Sequence, residues 1–403
     1  MTEGAAEGEA PRDEAGIAAA VLAAYEAREP LEVIGNGSKQ GMLRPVQAAR
    51  TLRLGGLSGV VMHSPEELVV SARAGTTLAE LDGVLAARGQ SLASEVPDLR
   101  HLLGSEGEPT LGGAVAANLS GPRRIGGGAT RDYVLGVRAV NGRGELLRCG
   151  GRVHKNVTGL DLCRLLAGSH GTLAVLTEIT LKVLPRAERE RSLAVRCAEA
   201  RAGVAALSIG LGSAFGVSGA AYVPAALAGR VPGLSGPAAL LRVENFADSV
   251  AYRVDRLRAL LAPFGTVDVL EEEVSRQAWR SLRDAEPLAD GEGAVWRLSV
   301  RPSAGPGVAE RLEREMGAAW FLDWGGGLVW LRGPAGERGH ASVCAAVAEA
   351  GGTWTLLRAP LALRQVVAVI PPEPEALARI GGRVKAAFDP AGILNPGRMR
   401  AGV

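Results

Sequence analysis

The sequence predicts an α+β protein built from two unlike domains. Three observations carry this. Up to Pro185, short β-type runs alternate with glycine-rich turns, and one glycine-dense stretch at 109–145 dominates. From 186 to about 370, strand, helix and strand patterns repeat, as in an antiparallel sheet with helices over one face. Beyond 370 a separate segment carries Phe388-Asp389-Pro390-Ala391-Gly392-Ile393-Leu394-Asn395-Pro396-Gly397-Arg398. The expected division is an acidic disordered tail at 1–14, a first domain at 15–185, a second at 186–370 and a closing segment at 371–403.

Composition excludes several classes. The chain has 403 residues, enough for two or three domains. Its apolar fraction of 47% and charged fraction of 22% are those of an ordinary globular protein. A net charge of +2 gives no electrostatic reason to bind nucleic acid. Cys149, Cys163, Cys197 and Cys344 are scattered with no CxxC pair, so no zinc or iron–sulfur site is expected. Scattered free thiols suit a reducing cytoplasm. The N-terminal residues are acidic without an apolar core, which argues against a secretory signal. The charge-free run at 202–229 is diluted by glycine, serine and Pro224, and reads as a buried helix then a buried strand, not a membrane span. The N-x-S/T triplets at Asn36, Asn118 and Asn156 are then chance matches.

The first domain opens with a helix over 17–28. Leu31-Glu32-Val33-Ile34 is a strand that runs into Gly35-Asn36-Gly37-Ser38-Lys39-Gln40-Gly41. This loop lacks the Rossmann spacing and the Gly-Lys-Ser/Thr of a Walker loop. On the residues alone, a phosphate-cradling loop and a plain tight turn are equal readings, with Ser38 and Lys39 as extra donors in the former. Strands follow at 60–63 and 68–72. Thr77-x-x-Glu80 is a capping box for a helix to Ala87, stopped by Gly89. Strand 134–140, the turn Asn141-Gly142-Arg143-Gly144 and strand 146–148 form a hairpin. A short helix ends at Ala167. Residues 173–184 then alternate with period two, so one face of this long strand is core.

The stretch 109–145 begins with Gly112-Gly113, passes Asn118, Ser120 and Gly121, carries Arg123-Arg124 and repeats glycine at 126–128. Glycine lets backbone N–H groups approach a ligand with no Cβ in the way, and successive N–H groups form an anion nest. Ala114-Val115-Ala116-Ala117 can lie against a flat ring. The stretch reads as a loop for the pyrophosphate of a dinucleotide. Asp132-Tyr133-Val134-Leu135-Gly136 re-enters a strand, which argues against a linker.

In the second domain, strands are expected at 193–195, 239–243, 266–270, 295–300 and 354–357, with helices at 249–261, 308–316 and 337–350 and a hairpin around Gly325-Gly326-Gly327. All six tryptophans lie here and read as core or inter-subunit contacts, with one or two at a ligand pocket as the sharper alternative. A carboxylate substrate needs a bidentate arginine, for which Arg297, Arg301, Arg332 and Arg358 are candidates. Arg123 and Arg124 have the better claim as phosphate or partner contacts. His170 precedes the long strand and reads as a cofactor contact or a structural residue. His154 and Lys155 carry no readable function. No two histidines have ligand spacing on one element, so no metal is expected.

The loop at 35–41, Thr110 through Gly121 with 132–136, Gly168 through Thr177, and 388–398 together resemble the PCMH-type FAD-binding flavoproteins, the vanillyl-alcohol-oxidase family. Ser120-Gly121-Pro122-Arg123-Arg124 and the run 155–185 are similar to the E-subunit group of bacterial glycolate oxidases (glycolate dehydrogenases). The resemblance implies a two-subdomain FAD-binding domain, an antiparallel-sheet cap over the flavin's reacting face, and a C-terminal segment returning to the flavin. It places the pyrophosphate on Gly35, Asn36, Gly37, Ser38 and Lys39 and around Thr110, Gly112, Gly113 and Ala116. Asn118, Ser120, Gly121, Asp132, Gly171, Thr172, Val175 and Thr177 would face the flavin ring and its linker, with Asn395 near the ring. Covalent relatives carry a histidine in the first glycine loop; Gly37-Ser38-Lys39 has none, so dissociable FAD is expected.

The implied activity is oxidation of glycolate or a similar 2-hydroxy acid to the 2-oxo acid. Hydroxy-acid dehydrogenases of this family carry a histidine-rich metal motif that helps remove the hydroxyl proton. None of His63, His101, His154, His170 and His340 belongs to one. The resemblance therefore implies a D-type flavin subunit that performs the hydride step, an iron–sulfur subunit that takes the electrons, and membrane attachment only through partners. A self-sufficient dehydrogenase and a flavin-binding subunit without catalysis are the alternatives.

Overall fold

The fold is described from a computed structural model, which covers residues 8–151 and 160–402. Three sheets organise it. Leu31–Ile34, Arg50–Arg53 and Gly8–Glu9 form a small parallel sheet. A six-stranded antiparallel sheet runs Val60–Ser64, Val69–Arg73, Ala174–Pro185, Val134–Asn141 and Leu146–Gly150, with Gln90–Leu92 on the same long strand. An eight-stranded antiparallel sheet runs Val267–Leu270, Arg189–Arg196, Ala238–Asn245, Gly219–Val223, Ala319–Asp323, Leu328–Gly333, Ala294–Ser299 and Thr353–Arg358.

The expected disordered tail is corrected in part. Gly8–Glu9 pairs with Thr51 and Leu52, and Asp13 accepts from the Gly16 N–H to cap helix Glu14–Ala27. Residues 1–7 lie outside the described residues, as do His154, Lys155 and Asn156. That helix buries Ile17, Val21 and Ala24 against Leu31, Leu52, Val140 and Val175, which closes the small sheet onto the six-stranded one. The C-terminal segment joins the same place: Leu31 N–H donates to Ile393 O and Asn395 N–H to Leu31 O. Buried Asp389 shapes this return. Its carboxylate takes Lys385 Nζ at 2.7 Å and the Ile393 and Leu394 N–H groups.

The eight-stranded sheet is two-faced. Leu193, Tyr222, Leu241, Val329, Leu331, Trp296 and Leu298 fall on one face by register and are buried. Helices Ala200–Leu211, Ala247–Leu261, Gly305–Met316 and Glu337–Glu349 lie in this half of the chain, and their apolar residues share one core with that face. The other face carries Glu190, Ser192, Arg242, Glu244, Asp323 and Arg297. It meets the glycine-rich domain, so polar groups are buried there and must be paired. Arg242, 1% exposed, donates to both Glu95 oxygens at 2.7 and 2.8 Å. Arg123 grips Glu244 in the same bidentate way, at 2.7 and 2.6 Å. This corrects the expectation that Arg123 contacts a phosphate: its guanidinium is used inside the protein.

Burial works against the Glu244 carboxylate, but Arg242 and Arg123 outweigh it and hold its pKa down to about 2. Glu95 is also lowered, its burial likewise outweighed by Arg242 and Arg123. Removing one partner of a buried pair leaves the other charge uncompensated. Arg242→Met is expected to cost about 3–5 kcal/mol in urea unfolding, and the double variant with Glu95→Gln to recover part of it. Because both carboxylates are depressed, their stabilisation is present above the unfolded carboxylate pKa of about 4.3. It is lost as pH falls through about 2, which acid unfolding of the single variants will read.

Candidate functional site

The glycine loop after Leu31–Ile34 lines a cleft with Thr110, Gly113, Ala116, His170, Asn395 and Arg398. The loop turns at Gly37, and Gln40 N–H closes it on Gly37 O. Gly35 lies so close to Thr110 Oγ1 that a Cβ there would collide with it. Asn36 Nδ2 and Ser105 Oγ tie the loop to the 104–108 segment, by Glu108 O and Ser38 O. Arg398 occupies the carbonyls of Lys39, Gln40 and Arg44. The N–H groups of residues 35–39, by contrast, donate to no acceptor among the described residues. Five adjacent free donors beside a cleft are an anion nest.

Charge favours the same ligand. Lys39 Nζ reaches only Ser38 Oγ, at 3.3 Å, and has no carboxylate within salt-bridge distance among the described residues. Burial pushes its pKa down to about 8, against the pull of Asp98. Burial, with Arg398 and Lys39 nearby, holds His170 neutral with a pKa of about 3. Burial also lowers Arg398, to about 10. Two under-compensated cations therefore face a cleft with free amide donors. A diphosphate fits this donor set and a cation does not.

Asn395 braces the cleft floor. Its Oδ1 accepts from Val33 N–H at 2.7 Å, and its Nδ2 donates to His170 O at 2.8 Å. It holds φ 43° to do so, and His170 holds φ 51°. Gly171 has φ +72°, and a Cβ there would press on Asn395 Nδ2.

The other expected site residues fall elsewhere. The stretch 109–145 is not one loop. Thr110 caps helix Leu111–Ala117, accepting from Gly113 N–H, and a second helix spans Arg124–Gly127. Gly112 N–H goes to Ala74 O, so it packs on the turn that follows Val69–Arg73 and is not a free donor. Asn118 ends the first helix at φ 47°, and its Oδ1 accepts from Arg131 N–H. Ser120 is buried and accepts from Thr130 N–H, while Gly121 O accepts from Trp324 Nε1. Asp132 accepts from Ala129 N–H and pairs with Arg164. Thr172 O accepts from Lys385 Nζ. Val175 packs in the core under helix Glu14–Ala27, and Thr177 Oγ1 donates to Glu14; neither lines this cleft.

Of the four candidate arginines, Arg301 is exposed and Arg358 donates to the carbonyls of Leu102, Ala289 and Gly291. Arg332 lies beside Gly291. Like Arg358 through Leu102 O, Arg297 reaches the glycine-rich domain, through Nη2 to Ser120 O at 3.3 Å. Five tryptophans are buried and Trp324 is half-buried at that interface. Arg124 stacks on Trp324, its guanidinium carbon 4.8 Å from the ring centroid. Sequence reasoning gave Arg398 no role, although it ends the 388–398 motif. Among the described residues no group of His, Cys, Asp or Glu can hold a metal, and no helix is long and apolar enough to cross a membrane.

Asn395→Ala removes the partner of Val33 N–H and His170 O together, and is expected to cost about 2–3 kcal/mol in chemical unfolding. Asn395→Asp keeps the acceptor and should lose less.

A family model described as FAD binding domain matches residues 9–150. Glycolate oxidase subunit GlcE of Escherichia coli K12 is 35% identical over 387 residues, covering 93% of each chain. Glycolate oxidase subunit GlcD of Bacillus subtilis is 29% identical over 185 residues, 46% of this chain and 38% of that one. A D-lactate dehydrogenase of Archaeoglobus fulgidus is 35% identical over 149 residues, 35% of this chain and 34% of the relative. In fold, the chain matches 4-ethylphenol oxidase from Gulosibacter chungangensis with TM-score 0.72 at 14% identity, over 98% of this chain and 89% of that one. It matches p-cresol methylhydroxylase equally, with TM-score 0.72 at 13% identity, over 98% and 88%.

Proposed function

This chain belongs to the PCMH-type FAD-binding family that includes the glycolate oxidase subunit GlcE, and from that premise we propose that it is the FAD-binding subunit of an enzyme oxidising glycolate or a similar 2-hydroxy acid. The observation that carries this is the cleft: among the described residues, five amide donors without an acceptor and Lys39 without a carboxylate partner, with an end-to-end relative named as a glycolate oxidase subunit. FAD, when bound, supplies the acceptor for a hydride from the substrate's α-carbon. The N–H groups of 35–39 and the Lys39 ammonium hold its diphosphate, and Arg398 keeps the loop carbonyls turned away. Gly37-Ser38-Lys39 offers no histidine for covalent attachment, so the cofactor is dissociable.

The FAD-binding part is 15–185, the cap 186–370 and the return segment 371–403. The relatives named as glycolate oxidase subunits support a multi-subunit enzyme, with a D-type flavin subunit and an iron–sulfur subunit as the partners and membrane association through them.

Two versions of this function differ in where the substrate's hydroxyl proton goes. In one, a histidine-bearing D-type partner takes it and this chain relays electrons. In the other, this chain takes it. A specific feature favours the second: Asp323 and Arg297 share the cap face that meets Ser120 and Gly121.

An anaerobic absorbance spectrum of the purified chain tests the function. Flavin bands should be present and bleach with glycolate, alone or once the D-type partner is added. Bands that never bleach in the turning-over complex would leave only a structural role. A second outcome concerns Lys39. With its pKa near 8 it is charged below that pH and neutral above it. FAD affinity should therefore fall as pH rises from 7 to 9, by about tenfold for each unit beyond the pKa. Lys39→Met should flatten that dependence and Lys39→Arg restore tight binding, by fluorescence titration.

A further inference from the structure

One buried acid is left unexplained by the interdomain ion pairs. Asp323 ends strand Ala319–Asp323, is 2% exposed, and has no salt-bridge partner among the described residues. Its Oδ1 accepts from Trp324 N–H at 2.7 Å, and no side chain or backbone N–H among the described residues donates to its Oδ2. An unpaired buried carboxylate is costly, so it persists where it has a use or holds a proton.

Arg297 is its natural companion. Strand register puts both side chains on the face that meets the flavin-binding part. Among the described residues Arg297 also lacks a salt bridge; its Nε has no partner, and only Nη2 is used, on Ser120 O. Its guanidinium carbon lies 4.7 Å from the Trp324 ring and 5.8 Å from that of Trp330. Trp324 Nε1 donates to Gly121 O at 3.1 Å. The turn that fixes all this holds one strained residue, Trp324 at φ 52°, followed by Gly325 at 68° and Gly326 at 102°, values glycine adopts freely. Strain of this kind persists where the surroundings over-determine it.

We propose that Arg297 and Asp323 form the seat of the 2-hydroxy acid, the guanidinium taking the substrate carboxylate and Asp323 Oδ2 taking the hydroxyl proton. This rests on the reading that FAD binds with its ring toward Ser120 and Gly121. The α-carbon C–H bond breaks and its electron pair leaves as hydride to the flavin. The O–H bond breaks and its proton goes to Asp323, while C–O becomes C=O. One 2-oxo acid, one protonated carboxyl and one two-electron-reduced flavin balance the step. Burial pushes the Asp323 pKa up to about 7, with Glu95 adding to it and Arg242 and Arg297 opposing. Arg297 itself is depressed to about 10 by burial and by Arg124, with Asp323 opposing. A group near 7 is matched to proton transfer at neutral pH.

The test is anaerobic flavin reduction in the full-length FAD-loaded chain with glycolate and with D-lactate, across pH 5 to 9. Wild type should be reduced, with a rate that rises through an inflection near pH 7. Asp323→Asn should bind FAD unchanged, lose more than a hundredfold in reduction rate and lose the inflection. Arg297→Met should raise the substrate concentration needed, and Arg297→Lys recover part of it. Reduction of Asp323→Asn at the wild-type rate and pH profile overturns the proposal. So does a wild-type chain that holds FAD but is reduced by neither acid, a result that leaves the FAD reading intact. A chain that binds no FAD overturns both.

Discussion

The Arg242 guanidinium, buried between two sheets and held by Glu95, is the contact on which the arrangement depends. The eight-stranded sheet packs one face on its own helices, and its other face buries Arg242, Glu244, Arg297 and Asp323 beside Leu240, Phe321 and Trp330. Such an interface is stable only if its charges are matched and their hydrogen bonds complete. Arg242 with Glu95 and Arg123 with Glu244 meet that condition. Arg297 and Asp323 on the same face do not, and that contrast is what marks them.

The nucleotide cleft obeys the complementary rule. Backbone carbonyls of its loop are satisfied by Arg398, so its amides are left for a ligand. The C-terminal segment therefore does more than end the chain. Asp389 shapes it, Asn395 plugs its side chain into the edge of Leu31–Ile34, and Arg398 orients the loop. Three segments far apart in sequence thus share one small volume, at 31–39, 168–171 and 393–398.

Much of this was legible in the residues. Leu31–Ile34, the hairpin around Gly325, and the helix-then-strand at 202–229 carry their periods and turn signals locally. Helix Glu272–Arg283 was not read, because glutamates and arginines mask the face formed by Ala278, Trp279 and Leu282. Helix Leu111–Ala117 was read as loop because Gly112 and Gly113 are poor helix formers; Thr110 capping and contact with Ala74 override that. Motif matching brought 35–39, Thr110, Gly113, Ala116 and Asn395 to one cleft. Val175 and Thr177, also expected at the cofactor, sit against helix Glu14–Ala27, in its core and on Glu14 respectively. The Arg242 and Glu95 pairing spans 147 positions, and no local pattern reports it.

The central claim is that the amides of 35–39 and Lys39 form the diphosphate seat. A crystal structure of the chain grown with FAD tests it most directly. The account predicts diphosphate density within hydrogen-bond distance of those amides and of Lys39 Nζ, with Arg398 still on the carbonyls of Lys39, Gln40 and Arg44. Diphosphate density placed elsewhere, with the 35–39 amides facing only solvent, would contradict it.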